Sequence, residues 1–499
     1  MSSEELSAYC GLTNENLSDI DVAIVRGLLR DALTELDQIE LQLPLQDSDI
    51  PLSLKEQHAN TLAQVERFRV AIAPFKKLPP EILIEIFVLC IPPIGVVFPP
   101  DYKSVPWSIG RVCSSWRHLV FTEPQIWLRA QLLYQFRAVH RDSLNTFIHS
   151  VMRYRRLISL QAVVSPKNEI SFNEFIAQHS ATLEELLISL RSPSSAPFLS
   201  LRSIKFKHLK SLVIRLPPGI RNQLSPIMVF SNTPRLCKFE VQTSSGQYIP
   251  FRNFPIQLRF GQITELVFTC LEFTPYQFCY FLRHCTALVQ GTFRLAGGPP
   301  PHLIPSNIIV PSLRTVVFHL ANYGLSLREN FLSFLTAPLL ESLTLLSASR
   351  TKWPYDAIRS LVERSSCVLQ FFEAGFPIDD QGVTSLFRGV PTLREIKLPL
   401  YTPISDKVIG AIIDENLVPE LEIFHFGTAS IDTAIDLIID RWSVNEENGG
   451  PPRGIWEAVI GYGSSVEDLS EGLMRYSSYE KRWLWDEERM IQLKYMGST

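Results

Sequence analysis

The sequence predicts an α/β chain with an all-α amino-terminal part: a helical hairpin and a compact helical module, followed by a repeating strand–helix solenoid. Two patterns carry this. Up to about residue 130, apolar residues recur at steps of three and four, the period of amphipathic helices. From Leu157 to Phe426, an apolar pattern of the form Leu-x-x-Leu-x-Leu returns about every 26 residues, with helix-like stretches between the copies. The chain has 499 residues and is 46% hydrophobic, enough for several domains and a sizeable core. In order, 1–16 reads as disordered, 17–73 as the hairpin and 74–130 as the compact module. The repeats occupy 131–445, and a linker with a helical cap occupies 446–499.

In the first helix of the hairpin, Leu17 to Leu43, one stripe is Ile20, Ile24 and Leu28, continued by Leu29, Leu33 and Leu36. Pro44 to Pro51 makes the turn. The second helix, Leu54 to Ala73, carries Leu62, Val65, Phe68 and Ile72 on one side. A self-associating coiled coil is the competing account of the same stripes.

Lys77 to Phe87 reads as a short helix with apolar residues on two sides. Ile82, Ile86 and Leu89 form one stripe; Leu83, Phe87 and Cys90 form the other. Pro79 and Pro80 suit a helix start, Glu81 suits the positive end of its dipole, and Pro92-Pro93 ends it. One stripe serves the module's own core. The other requires either a partner or a larger surrounding domain. After a Pro-rich loop comes Trp107 to Val120, with Ile109, Cys113 and Trp116 at helical spacing, and then Thr122-Glu123-Pro124-Gln125-Ile126-Trp127.

These residues resemble the F-box family. The pattern is Leu78-Pro79-Pro80-Glu81-Ile82, then Val112-Cys113-Ser114-Ser115-Trp116-Arg117, then Trp127. The resemblance implies a three-helix module that binds the Skp-family adaptor of cullin–RING ubiquitin ligases, with the rest of the chain holding a protein substrate. By motif, Leu78, Pro79, Ile82 and Ile86 are expected to face the adaptor. Val112, Cys113, Trp116 and Trp127 are expected to be shared between the small core and that interface.

The repeat runs through Leu183/Leu186/Ile188, Leu209/Leu212/Ile214, Leu236/Phe239/Val241 and Ile263/Leu266/Phe268, and after a degenerate copy at Leu288/Phe293 continues to Leu421/Phe424/Phe426. Pro-x-Leu precedes several copies, as at Pro234-Arg235-Leu236 and Pro391-Thr392-Leu393. Helices are expected at Ser171 to His179, Thr274 to Cys285, Leu327 to Leu335, Tyr355 to Ser365, Val383 to Phe387 and Ser405 to Asp414. The acid pair Asp379-Asp380 beside Gly382 reads as a helix start. The pattern resembles the irregular leucine-rich repeats of many F-box proteins, although the usual asparagine or cysteine after the strand is missing. A non-repeating α/β domain with similar strands is the competing reading. In a solenoid the residues between the apolar strand positions line a concave face. The substrate-binding candidates there are Glu185, Lys238, Glu240, Glu265, Phe371, Glu373, Glu395, Lys397 and His425. An idle solvated face has the same mixed character. Beyond the flexible stretch Glu446 to Pro452, Val466 to Met496 reads as a helix with Trp483, Trp485, Met490, Leu493 and Met496. It is expected to cap the last repeat, or to offer a short peptide to a partner.

The net charge of −4 argues against a general nucleic-acid binder. Residues 1–74 have an acidic excess and 101–210 a basic one, read either as mutual attraction or as a basic flank for an acidic partner. The eight cysteines form no Cys-x-x-Cys pair, and the start of the chain does not read as a signal peptide. The apolar run Ile82 to Phe98 is broken by Glu85 and Pro92-Pro93, so no membrane span is expected. These features predict reduced thiols and a cytoplasmic or nuclear protein. Phosphate-loop, dinucleotide, zinc-protease and serine-hydrolase signatures are missing, so no cofactor, metal site or catalytic residue is expected. The expected function is substrate recognition for an SCF-type cullin–RING E3 ligase. A non-degradative scaffold, or an enzyme with an unrecognised site, are the rival readings.

Overall fold

The computed structural model describes residues 17–42, 51–98, 101–133, 156–165, 169–192, 204–217, 227–243, 248–254, 256–296, 308–321, 331–347, 355–401, 403–428, 430, 432–438, 440, 455, 457–462 and 490–495. The chain divides into two compact units, Met1–Leu160 and Gln161–Thr499. The stretches 1–16 and 466–489, with the expected disorder of the first and Trp483 and Trp485 of the second, lie outside the described residues.

In the first unit, α1 (Asp19–Glu40) starts at Ser18, whose hydroxyl accepts the Asp21 amide at 3.2 Å. Asp19 and Asp21 in the first turn complement the helix dipole. It packs on α2 (Leu52–Ala71) through Val25, Ala32 and Leu36 against Val65, Phe68 and Ala71. The buried stripe is offset from the expected one: Ile20 is exposed, while Val22 and Val25 are inside. Of the expected stripes, Leu36, Val65 and Phe68 lie in that core, while Ile24, Leu28, Leu29, Leu33 and Ile72 pack at its margin.

Next come α3 (Pro80–Cys90) and strand β1 (Val96–Phe98). A 3-10 turn at Ile109–Arg111 leads to α4 (Ser114–Thr122), a second 3-10 turn covers Pro124–Trp127, and β2 (Arg129–Leu132) follows. β1 and β2 pair in parallel, with Val96 opposite Ala130 and Phe98 opposite Leu132. The expected three-helix module is corrected accordingly. It holds two α-helices, short 3-10 turns and a parallel ladder that grows out of the supposed loop. Pro124 starts the last turn, but the chain straightens into β2 after burying Trp127 instead of extending a third helix. Gly95 opens β1 with φ +87°, and a Cβ there would lie 2.4 Å from the Arg129 backbone carbonyl carbon.

The second unit is built on parallel strands. They are β3 (Ser159–Val164, across the boundary), β4 (Glu185–Leu190), β5 (Ser211–Leu216), β6 (Lys238–Thr243), β7 (Ile249–Pro250), β8 (Glu265–Phe273) and β9 (Gln290–Leu295). They continue as β10 (Ile308–Ile309), β11 (Thr315–Leu320), β12 (Leu335–Thr336), β13 (Ser342–Ser347), β14 (Phe371–Ala374), β15 (Glu395–Lys397), β16 (Pro403–Ile404), β17 (Ile423–Thr428), β18 (Glu457–Tyr462) and β19 (Met490–Tyr495). β10 and β12 form a separate pair, and the other fifteen belong to one sheet. The register runs through successive strands: Glu185–Ser211–Lys238–Glu265–Gln290–Thr315–Ser342–Phe371–Glu395–Ile423 lie side by side. Alternate residues are buried on most strands, as in Leu212, Ile214 and Leu216, whereas β13 buries Leu343, Thr344 and Leu345 in succession. A ring cluster around Phe268, Phe278, Phe293 and Phe318 fills the core beside β8, with Phe278 and Phe293 centroids 5.0 Å apart.

This corrects the predicted fold class of the larger part. The irregular leucine-rich-repeat solenoid is replaced by an α/β arrangement on one all-parallel sheet. The connections are not equivalent units. Among the described residues, α5 (Glu169–His179), α6 (Pro275–Leu282), α7 (Tyr355–Ser365), α8 (Asp380–Gly389) and α9 (Asp406–Asp414), with a helical stretch at 432–438, serve only some crossings. Of the stretch expected as a helix at Leu327 to Leu335, the described part is a 3-10 turn at Phe331–Phe334 running into β12. β8 is nine residues long and carries an irregularity between Phe268 and Glu272, whereas β7 and β16 have two each. The predicted carboxy-terminal helix is also corrected, because Met490–Tyr495 is a strand paired with β18. Local cap chemistry behaves as read. Asp379 caps α8 by accepting the Gly382 amide at 2.8 Å, and Thr274 with Gln277 forms a capping box on α6.

Candidate functional site

α3 separates its two stripes except at Cys90, the third residue of the inner stripe, which is exposed. Leu83 and Phe87 point into the module and are buried. Ile82 is 47% exposed, Ile86 42% and Leu89 83%, and their i, i+4, i+7 spacing puts them on one side of the helix. An apolar stripe this accessible on a short helix is the kind of surface that marks an interaction site. Pro80 occupies the first helical position, so Pro79 and Leu78 lie just before the helix, Pro79 exposed and Leu78 half-buried.

Trp116 backs the helix. Its ring centroid lies 4.9 Å from that of Phe87 and 5.7 Å from that of Phe75. Cys113 caps α4, its Sγ accepting the Trp116 amide at 3.4 Å, and the Arg117 Nε donates to the Gly110 carbonyl at 2.9 Å. Val112 is exposed, and Cys113 and Trp116 are half-buried. Trp127 departs from the expectation that it is shared with an interface. It is fully buried, and its indole N–H donates to the Val120 carbonyl at 2.9 Å. Its ring stacks on Phe121 and meets Trp107 edge-on, with both centroids 5.7 Å away. Trp127 is a core residue. Phe75 and Leu89 are the exposed apolar neighbours that the motif does not name; Leu89 was visible only as the third member of its stripe. Lys77 binds Asp19 at 2.9 Å, tying the turn before α3 to the start of α1 and holding the Asp19 carboxyl below its ordinary pKa.

The second group of candidates lies on the accessible face of the parallel sheet, rather than on the inner side of a solenoid. Glu185 is exposed; Lys238, Glu240, Glu265, Phe371, Glu373, Glu395, Lys397 and His425 are half-buried. The register gathers them into two groups. On β4 to β8, Lys238 pairs with Glu265 at 2.5 Å, and Gln242 donates to the Glu240 carboxylate. On β14 to β17, Lys397 pairs with Glu395 at 2.6 Å and sits 5.3 Å from the Phe371 ring centroid. Glu373 accepts the Thr344 hydroxyl at 3.4 Å, and Lys397 lies between it and His425 in the register. One further group went unnoticed in the sequence. Arg294 binds Glu272 at 3.2 Å with both side chains mostly buried, and its guanidinium lies 3.3 Å from the Tyr248 ring centroid. Burial and Arg294 together hold the neighbouring His319 below the ordinary histidine range. The strand alternation extended by one more position would have found Arg294 and His319; Tyr248 carries no such signal.

Among the described residues no group of three or more His, Cys, Asp or Glu is placed to hold a metal ion. Burial pushes the Cys270 and Cys285 thiols up to about 12 and that of Cys279 to about 11, which keeps them protonated and poor nucleophiles at neutral pH. No helix among the described residues is long and apolar enough to cross a membrane. No family model and no curated protein matches the chain.

Proposed function

We propose that this chain is an F-box-type adaptor, a substrate-recognition subunit of an SCF-type cullin–RING E3 ubiquitin ligase. The Skp-family adaptor would bind Leu78, Pro79 and the outward stripe of α3, and a protein target would lie on the accessible face of the parallel sheet. The observation that carries this is the split of α3 into a buried side, Leu83 and Phe87, and an uncovered side, Ile82, Ile86 and Leu89. The first side satisfies the module's own core, so the second is surplus to folding. The resemblance of Leu78 to Ile82 to the F-box pattern supports the Skp-family adaptor as that partner. The chain itself would perform no chemistry. Holding a target near a ubiquitin-charged enzyme raises the effective concentration of the target's lysines there. Such work belongs to the cytoplasm or nucleus.

The test is capture of the purified Skp-family adaptor by the full chain. Each anchor in such an interface contributes about 2–4 kcal/mol when truncated. Replacing Leu78 and Pro79 with Ala together, or Ile86→Asp alone, should abolish capture while leaving the circular dichroism spectrum and the melting curve in place. Undiminished capture by both variants rules the assignment out.

A further inference from the structure

Glu240 occupies an unusual place on the sheet. In the register it lies between Val213 of β5 and Val267 of β8, both half-buried like itself. Leu187 of β4 continues the same row beyond Val213. Glu240 is thus a carboxylate set in an aliphatic lane. Its hydrogen-bond donor is the neutral Gln242 amide, and Gln242 is in turn engaged by the Arg215 Nε at 2.7 Å. The cation two residues back, Lys238, is committed to Glu265 at 2.5 Å. Among the described residues no cation pairs with Glu240. A half-buried carboxylate whose bonded donor is a neutral amide keeps acceptor capacity for a cation delivered from outside.

We propose that this lane docks a basic amphipathic helix of a partner protein, one Arg or Lys of which binds Glu240 while aliphatic side chains a turn to either side cover Val213 and Val267. The inference rests on the reading that the sheet holds a protein target, and names that target's chemistry. The spacing matches. Neighbouring strands lie about 4.8 Å apart, so Val213, Glu240 and Val267 span roughly 10 Å across the sheet. A helix rises ~1.5 Å per residue, so side chains at i, i+3 or i+4, and i+7 fall at about the same intervals along a helix laid across the strands. The partner pattern is therefore an aliphatic residue, a basic residue one turn on, and an aliphatic residue one turn further.

The probe is a fluorescein-labelled synthetic helical peptide with Leu at positions i and i+7 and Arg at i+4 on an Ala/Gln background, titrated into the full chain by fluorescence anisotropy. The Arg peptide should bind, and more weakly as salt is added. Binding should drop at least about tenfold with Glu240→Gln, the size expected for one charge-assisted contact. A peptide carrying Glu in place of Arg should ignore the natural chain yet bind Glu240→Lys. That swap separates lost complementarity from lost folding. Equal binding of the Arg and Glu peptides to the natural chain overturns the proposal, as does an Arg peptide indifferent to Glu240→Gln or a Glu peptide that gains nothing from Glu240→Lys. Adaptor capture is unaffected by any of these results, so failure here is distinct from failure of the F-box assignment.

Discussion

Mild acid should destabilise the sheet unit through one residue, His179 at the end of α5. Its side chain is 3% exposed, its Nε2 has no hydrogen-bond partner, and its ring centroid lies 4.6 Å from that of Phe175. Burial holds the imidazole neutral and lowers its pKa from 6.5 to about 4. The unfolded chain takes up this proton near pH 6.5, the folded chain only near about 4. Between those values the unfolded state binds more protons, so stability falls as the pH falls and is fully present only above the unfolded pKa. Each unit of pKa difference is worth about 1.4 kcal/mol, and between pH 7 and pH 5 the linkage comes to ~2 kcal/mol. The assay is urea denaturation of the full chain at pH 7 and pH 5, read by hydrogen exchange in β4 and β5. His179→Phe keeps a ring against Phe175 and cannot titrate. It should lose about 2 kcal/mol less over that interval than the natural chain. Selective ¹³C labelling of histidine should show the His179 ring still neutral at pH 5. Identical pH dependence in the two proteins, or an imidazolium signal for His179 at pH 5 in the folded state, refutes the reasoning.

Three further outcomes are expected. Trp127→Ala should cost about 3–5 kcal/mol by cavity formation, and Trp127→Phe roughly 1–3 kcal/mol, because it strips the Val120 carbonyl of its donor; thermal unfolding of residues 74–132 followed by tryptophan fluorescence measures both. Gly95→Ala should destabilise the β1–β2 ladder by about 2–3 kcal/mol, since it places a methyl group against the Arg129 backbone at a positive φ, and exchange of the Phe98 and Leu132 region reports it. Glu272→Gln should cost roughly 1–3 kcal/mol by leaving the mostly buried Arg294 guanidinium without its counter-charge, while the Tyr248 stacking persists; a double-mutant cycle with Arg294→Met isolates the pair.

The parts of the fold that local patterning dictates were legible. Leu186, Leu212, Phe239 and Leu266 are buried strand residues, as their spacing says, and Leu183, Leu209, Leu236 and Ile263 are buried just before those strands. Such alternation reports which side of a strand is covered. It does not report what joins one strand to the next, so a near-constant period suggested equivalent units where the crossings differ. Ile204 and Phe206 show the same limit: they fit the apolar pattern and are buried, yet lie outside the sheet. Pro-x-Leu recurrence marked strand entry without specifying connection. In the first unit, Val96-Val97-Phe98 between two Pro pairs reads as a loop, because the partner that makes it a strand lies more than thirty residues on, at Ala130 to Leu132. At the candidate site, the two stripes of α3 were visible as periodicity, whereas which of them faced the core depended on Trp116 and Phe75, whose ring contacts no spacing encodes. Trp127 carried a motif label that said nothing of how deeply it sits.

The alternation that β4, β5, β9 and β11 keep along their whole length divides labour between two chemistries. Residues such as Ile214, Val241 and Phe268 build the interior, while their immediate neighbours Arg215, Glu240 and Val267 are half-buried on the other face, the first two joined through Gln242. A lineage, or an engineer, could rewrite the second set one position at a time and change what that face offers while leaving the interior untouched.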